Sequence, residues 1–210
     1  MAPEHSMETD FLIIGSGIAG LTFALRVAPH GRTLIVTKKN RAESNTNYAQ
    51  GGIAGVMSED DDVRLHLQDT LTAGAGLCHT DAVETLVREG PERIRDLIAI
   101  GARFSTTSDP LGRQVLALGR EGGHSRNRIV HAVDRTGWEC ERALLEACRP
   151  LPSLQILEHL FAVDLLIQTV DGARRCVGAL VLDPGTGRLS AIRARATLLA
   201  TGGCGCVFLR

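Results

Sequence analysis

Asp10-Phe11-Leu12-Ile13-Ile14-Gly15-Ser16-Gly17-Ile18-Ala19-Gly20-Leu21 decides the fold. Phe11–Ile14 is an apolar run of strand length, and the glycines lead straight into an apolar helical pattern at Leu21, Phe23, Ala24 and Leu25. A GxGxxG alone is a weak signal. Between a strand and a helix each glycine has its own role. Gly15 permits the tight turn, Gly17 lets a pyrophosphate approach the backbone, and Gly20 lets the helix pack on the strand. Ser16, Ile18 and Ala19 complete a turn whose helix N-terminus faces the phosphates. The stretch predicts the opening of a dinucleotide-binding α/β domain.

Thr33-Leu34-Ile35-Val36 supplies the next strand, but the acidic residue that usually follows to hold the adenosine ribose is absent; Thr37, Lys38 and Lys39 stand there. Three readings are open. Lys38, Lys39 and Arg41 could meet the 2′-phosphate of NADP, the run could be an exposed basic turn, or the Lys38 region could help hold FAD. The next segment favours FAD.

That segment is Ser44-Asn45-Thr46-Asn47-Tyr48-Ala49-Gln50-Gly51-Gly52-Ile53-Ala54-Gly55. Small side chains, amides and paired glycines suit packing poorly and leave backbone N–H groups bare, so a flat ligand with polar edges can lie against them. A mononucleotide site has no need of such a segment, whereas a flavin ring does.

The chain has 210 residues, a net charge of −1, 44% hydrophobic and 3% aromatic residues. That is enough for one α/β domain with a core, and gives no electrostatic case for nucleic acid. No apolar run approaches the roughly 20 residues of a membrane span, and the first nine residues lack a signal pattern, so cytosol is the expected location. Six cysteines are scattered, with only Cys204 and Cys206 close together, and no metal-ligand spacing accompanies them. They read as reduced thiols.

Farther along, Asp60–Leu71 is expected to be helical behind the acidic run Glu59 to Asp62. Asp81–Ile100 is a longer helix, capped by Asp81, ended by Gly101 and split at Gly90-Pro91. Ser105–Gly112 reads as a polar loop, Val115–Leu118 and Arg128–Val130 as short strands, and Thr136–Cys148 as a helix. Leu154–Leu157 is a strand, Ala162–Val170 and Arg175–Leu182 a hairpin across Asp171-Gly172, and Leu189–Ala194 and Thr197–Ala200 two further strands. The layout is a Rossmann-like domain with a parallel sheet, a helical insertion and a β-meander. Residues 1–210 are expected to be the incomplete N-terminal part of a longer protein, because the chain stops just after the turn Thr201-Gly202-Gly203.

Taken together, Asp10–Gly20, Ser44–Gly55, Arg120-Glu121-Gly122-Gly123-His124-Ser125, Arg128-Ile129-Val130-His131, Asp134-x-Thr136-Gly137 and Ala200-Thr201-Gly202-Gly203 resemble the succinate dehydrogenase/fumarate reductase flavoproteins, and among them the L-aspartate oxidases. The likeness runs over nearly all of residues 10–205, in family order. It implies an FAD-binding domain whose cap domain and late FAD-ribityl acid lie C-terminal to these residues. The family's substrate-gripping and proton-accepting arginines are likewise expected beyond Arg210, so no catalytic residue is assigned within the chain. Succinate dehydrogenase-like members carry, where Asn45 stands, a histidine that links to the flavin; Asn45 cannot, so non-covalent FAD is implied.

The resemblance assigns the pyrophosphate to Gly15, Ser16, Gly17, Ile18, Ala19 and Gly20. The isoalloxazine and ribityl fall to Ser44, Asn45, Thr46, Asn47, Tyr48, Ala49, Gln50, Gly51 and Gly52, with Thr201, Gly202 and Gly203 nearby. Lys38, Phe161 and Ala162 take the adenosine end. Glu121 would read the α-ammonium of L-aspartate and so distinguish it from succinate; read without the family it is an exposed loop carboxylate. A histidine can serve as a base, but the sequence supplies neither His124 nor His131 with an orienting partner. The implied reaction is FAD-dependent oxidation of L-aspartate to iminoaspartate, with oxygen or fumarate as acceptor, feeding quinolinate synthase on the route to NAD, and residues 1–210 alone are expected to be an inactive fragment of that enzyme. A soluble fumarate reductase and a non-catalytic nucleotide-binding module are the alternatives.

Overall fold

The computed structural model describes residues 5–204. Cys206 and Arg210 lie outside them, and so does the expectation that the family's catalytic arginines fall beyond Arg210. Its two compact units are the chain up to Asn47 together with the chain from Leu144 onward, and Tyr48–Ala143. Elements are numbered in chain order.

The first unit is a six-stranded sheet. β1 (His5–Ile14), β2 (Thr33–Val36), β8 (Leu154–Leu157), β9 (Phe161–Val170), β10 (Ala173–Asp183) and β11 (Arg188–Leu199) lie in the order β8-β2-β1-β11-β10-β9. β8, β2, β1 and β11 are parallel, while β10 and β9 are antiparallel additions. Strand alternation sends Leu12, Ile14, Leu34 and Val36 to one face, where they join Ala179, Val181 and Ile192 in the core. The opposite face takes α1 (Ile18–Val27): a Cβ on Gly20 would lie 3.3 Å from Ile13 Cγ2 and would collide with the Gly15 carbonyl. Leu12, Ile13, Leu21 and Ile35 are fully buried, and each contributes about 1.5–3 kcal/mol of transfer free energy.

Two expectations for this unit need correction. The strand expected at Phe11–Ile14 begins six residues earlier, because His5–Thr9 pair with Ser190–Ala194 of β11. The two strands expected at Leu189–Ala194 and Thr197–Ala200 are one: Arg195-Ala196 contains no breaker, and β11 bonds β10 through its first half and β1 along most of its length. The last strand of the meander and the late parallel strand are therefore the same element.

The second unit holds α3 (Val63–Ala73), α4 (Thr80–Ala99) and the start of α5 (Thr136–Cys148), with β3 (Ile53–Ala54), β7 (Ile129–Val130) and β6 (Leu118–Gly119) in one small sheet. The expected polar loop at Ser105–Gly112 instead begins with β4 (Thr106–Ser108), which pairs with β5 (Gln114–Leu116) in a hairpin whose turn Asp109 holds. α4 is not split at Gly90-Pro91. Proline takes only one i→i−4 bond out of the ladder, that to Val87, and the stripe Val83, Val87, Ile94 and Leu97 is buried on both sides of the break. Asp81 does not cap α4; His79 occupies that position without a side-chain bond. At the other end the Gly101 N–H bonds Ile98 and the Ala102 N–H bonds Leu97, closing the helix as expected.

Candidate functional site

In the first unit three segments meet beyond the carboxyl ends of β1 and β11. Gly15 follows β1 with φ +113, and any Cβ there would run into the Ala200 carbonyl, so the turn and the end of β11 touch backbone to backbone. Ser16 is buried and turns inward, its hydroxyl donating to Thr37 Oγ1 at 3.1 Å, which leaves the turn to present backbone to a ligand. Gly17 caps α1 with no side-chain hydrogen bond. The Ile18 N–H donates to Thr46 Oγ1 at 3.1 Å, tying the phosphate turn to the Ser44 segment. Gly202 and Gly203 lie beside Asn45: a Cβ on either would be 3.8 Å from its amide nitrogen.

The Ser44 segment is not wholly bare of internal bonds. Asn45–Tyr48 form one helical turn (α2), and Ser44 Oγ accepts the Asn47 N–H at 3.3 Å, so that N–H is used within the segment. Serine ahead of a helical turn is a common cap.

The adenosine end assembles around β2. The Leu160 N–H bonds the Thr37 carbonyl and the His159 N–H bonds the Lys39 carbonyl, which brings Lys38 beside the start of β9 at Phe161 and Ala162. Glu158, not singled out from the sequence, accepts from the Arg41 N–H, Nε and Nη2 at 2.7–3.0 Å. Those bonds hold its carboxyl down to about 2. Lys39 pairs with Glu43 at 3.1 Å. Two of the three cations that a 2′-phosphate would need are thus committed, and Lys38 is the one with no ion pair among the described residues.

The second unit places Glu121 against the glycine pair. A Cβ on Gly51 would lie 3.4 Å from Glu121 Oε1, while Gly52 packs on Ile129 and Val130 so closely that no side chain fits. Glu121 is exposed, and its carboxylate makes no hydrogen bond or ion pair among the described residues. The Ala49 carbonyl accepts the Gly137 N–H at 2.9 Å, joining the start of this stretch to α5.

Beneath the Glu121 loop lies a charge cluster that sequence reading missed. Arg128 is fully buried; its Nε and Nη2 donate to Asp61 at 2.8 and 2.7 Å and its Nη1 to Asp69 at 2.6 Å. Burial pushes Asp61 up, but the Arg128 bonds outweigh it and hold the carboxyl below its usual range. Asp69 is held at about 2, first by the Ser125 N–H. The orienting partner that the sequence lacked for His124 is here: its Nδ1 faces Arg128 Nη1 at 3.4 Å, and its ring lies 5.7 Å from His66. His66 is buried, and burial together with Arg128 pushes its pKa down. Because the Arg128 guanidinium can only donate, His124 Nδ1 is the acceptor in this contact. His131 offers its carbonyl to the Ser105 N–H. The five cysteines among the described residues are free thiols, and burial pushes Cys140 and Cys148 up to about 11.

The residues present fit a dinucleotide carrying a flavin. The turn at Gly17 has no side-chain cap of its own, and a Cβ there would press on Thr46 Oγ1 at 3.4 Å, so glycine keeps the backbone of the turn open to a ligand. No helix among the described residues is long and apolar enough to cross a membrane.

Residues 10–208 match the model of the FAD binding domain family, and the chain belongs to that family. Among curated proteins it is 48% identical over 199 residues to the chloroplastic L-aspartate oxidase of Oryza sativa subsp. japonica, covering 95% of this chain and 30% of that one. It is 46% identical over 212 residues to the L-aspartate oxidase of Streptomyces coelicolor, covering 99% and 35%. Of solved structures, the E. coli quinol fumarate reductase superposes with a TM-score of 0.84 at 31% identity, covering 97% of this chain and 34% of that one. The chain thus spans about a third of the length of these relatives.

Proposed function

We propose that residues 1–210 form the FAD-binding part of an L-aspartate oxidase, holding FAD without a covalent bond. The family match runs through both compact units, which supports reading them as one functional domain. Gly15–Gly20 would hold the phosphates, Lys38, Phe161 and Ala162 the adenosine end, and Ser44–Gly52 with Thr201–Gly203 the ribityl and ring. When bound, FAD supplies the acceptor for the hydride that leaves the substrate Cα, giving iminoaspartate, with oxygen or fumarate as the final acceptor. The backbone N–H groups of the glycine segment would meet negative charge at the ring edge. Asn45 offers an amide where a covalent link would need a histidine. The resemblance assigns no residue of this chain to gripping the substrate carboxylates. The product would pass to quinolinate synthase, and the cytosol remains the expected location.

Glu121 carries the reading. It is a carboxylate with no partner among the described residues, poised over Gly51 in the segment that would face the ring. A lone carboxylate suits an α-ammonium group and repels a plain dicarboxylate, which favours aspartate over succinate. The likeness to quinol fumarate reductase supports a second reading, fumarate reduction, and the same experiment separates the two.

Losing a charge-assisted hydrogen bond costs about 1.5–3 kcal/mol, so in a protein that also carries the family's substrate-gripping arginines Glu121→Gln should weaken L-aspartate oxidation by roughly tenfold or more. Turnover with fumarate or succinate should change far less. Equal losses for aspartate and succinate would refute the ammonium role.

A further inference from the structure

Glu121 has no partner of its own, so its position depends on the loop that carries it. That loop is built with unusual care for an exposed segment. Its base is closed by the Arg128 N–H bonding the Gly119 carbonyl at 3.0 Å, the residues that end β6 and precede β7. Its tip is a turn in which the His124 N–H bonds the Glu121 carbonyl at 3.2 Å, with Gly123 at φ +83. A residue in that backbone region is strained unless it is glycine. A Cβ on Gly123 would lie 3.5 Å from Ala73 Cβ, so the tip rests against the end of α3.

One atom fixes the tip. Asp69 Oδ2, on α3, accepts the Ser125 N–H at 2.8 Å, the Ser125 hydroxyl at 2.8 Å and Arg128 Nη1 at 2.6 Å. Arg128 is in turn locked by Asp61 on the N-terminal side of α3. The exposed turn is thus strapped to a buried ion pair through a serine four residues beyond Glu121. Arg120, Arg126 and Asn127 around it are exposed, with no hydrogen bond or ion pair among the described residues, so nothing else restrains this stretch from the solvent side.

We infer that the Asp69–Ser125 strap is the positioning device for Glu121, and that it sets the preference for a substrate carrying an ammonium group over a plain dicarboxylate. Ser125 and Asp69 touch no substrate; they act by holding the turn at a fixed distance from Gly51. A charge placed loosely loses most of its power to discriminate, because the solvated carboxylate then samples positions where the ammonium is screened. The inference rests on the reading of Glu121 given above.

Ser125→Ala removes the hydroxyl and keeps the N–H, Ser125→Thr keeps both, and Glu121→Gln is the reference. Two measurements are made on the FAD-loaded protein: equilibrium binding of L-aspartate and of succinate, and limited trypsin digestion with cleavage mapped after Arg120 and Arg126. In Ser125→Ala, cleavage at both sites should quicken by about fivefold or more as the loop opens more often. L-aspartate binding should weaken by about tenfold, succinate binding should change less than twofold, and Ser125→Thr should restore both readouts. Unchanged cleavage in Ser125→Ala would overturn the strap itself, whatever Glu121→Gln does. Faster cleavage with equal effects on the two ligands, or none, would overturn its link to selectivity. If Glu121→Gln leaves L-aspartate binding intact, the ammonium reading has failed, and the trypsin result still reports whether the strap holds the loop.

Discussion

Replacing Arg128 by Met should be among the most damaging single changes available in residues 48–143. Arg128 and the Asp61 side chain are both fully buried, and the guanidinium supplies two bonds to Asp61 and one to Asp69. Without it Asp61 keeps the Asp62 N–H but has no cation among the described residues except His66, itself biased toward neutrality by burial. Removing one partner of a buried pair costs about 3–5 kcal/mol. At roughly 2–4 °C per kcal/mol for a chain of this size, the melting point should fall by about 6–20 °C. The fluorescence of Trp138, the single tryptophan, reports on the same unit. The pH dependence adds a second check. Asp61 and Asp69 have folded pKa values below their unfolded ones, so in the parent protein their contribution is complete above the ordinary carboxylate range. It is lost as pH falls through the folded values, which for Asp69 is about 2. In the variant the sign reverses for Asp61: buried without its cation, it titrates above its unfolded value, and protonation relieves it as pH falls from neutral. The gap between parent and variant should therefore be widest near pH 7 and narrow toward pH 4. Adding Asp61→Leu to Arg128→Met should recover part of the loss, since an apolar pair needs no desolvation. A cost below about 1 kcal/mol at neutral pH, or a gap that does not move with pH, would refute the assignment of this cluster as a buried, tightly coupled ion pair.

The glycines of the phosphate turn should separate by role. Gly15→Ala meets the Ala200 carbonyl at an unfavourable φ and should lower stability as well as FAD binding, whereas Gly17→Ala presses only on the Thr46 hydroxyl and should keep the melting point while weakening FAD binding by roughly tenfold. Pro91→Ala should restore the bond to Val87; a helix-interior proline costs about 3 kcal/mol, partly offset by its stiffening of the unfolded chain, so a net gain of about 1–2 kcal/mol is expected. A loss of stability on denaturant titration would show that the proline ring packs productively in α4. Acid precipitation of the FAD-loaded protein should release the yellow colour to the supernatant, since Asn45 offers no attachment point; flavin retained in the pellet would overturn the non-covalent assignment.

Most of the fold was legible because its signals are local. Leu154–Leu157 and Thr136–Cys148 match their elements residue for residue, and the hairpin across Asp171-Gly172 is where turn chemistry puts it. The errors share a cause: tertiary contacts overrode a local cue. Gly90-Pro91 reads as a break, yet α4 runs through it because its buried stripe spans both sides. His5–Thr9 carry no strand-forming run, and they extend β1 only because β11 is long enough to pair with them. The 106–108 segment is polar on every side and becomes a strand through Asp109, which turns it onto β5.

The candidate site divides along the same line. The glycines could be picked out because bare backbone and odd composition leave a mark in one short stretch of sequence, whereas Asn45 and Glu121 drew attention only through the resemblance to the family. The Arg41–Glu158 and Arg128–Asp61–Asp69 pairs could not, since their partners lie 117, 67 and 59 residues apart and each charge alone reads as surface. Yet the buried pair gives the visible residue its place. Glu121 keeps a bare carboxylate by having no partner of its own, and a bare carboxylate on a free loop would discriminate poorly. The Asp69–Ser125 strap would resolve that conflict by putting the restraint on Ser125, four residues away, and tying it through Asp69 to the buried Arg128. A ligand-reading charge must stay unpaired and open to solvent while the charges that fix it are paired, and pairing across 59 and 67 residues leaves no local mark in the sequence.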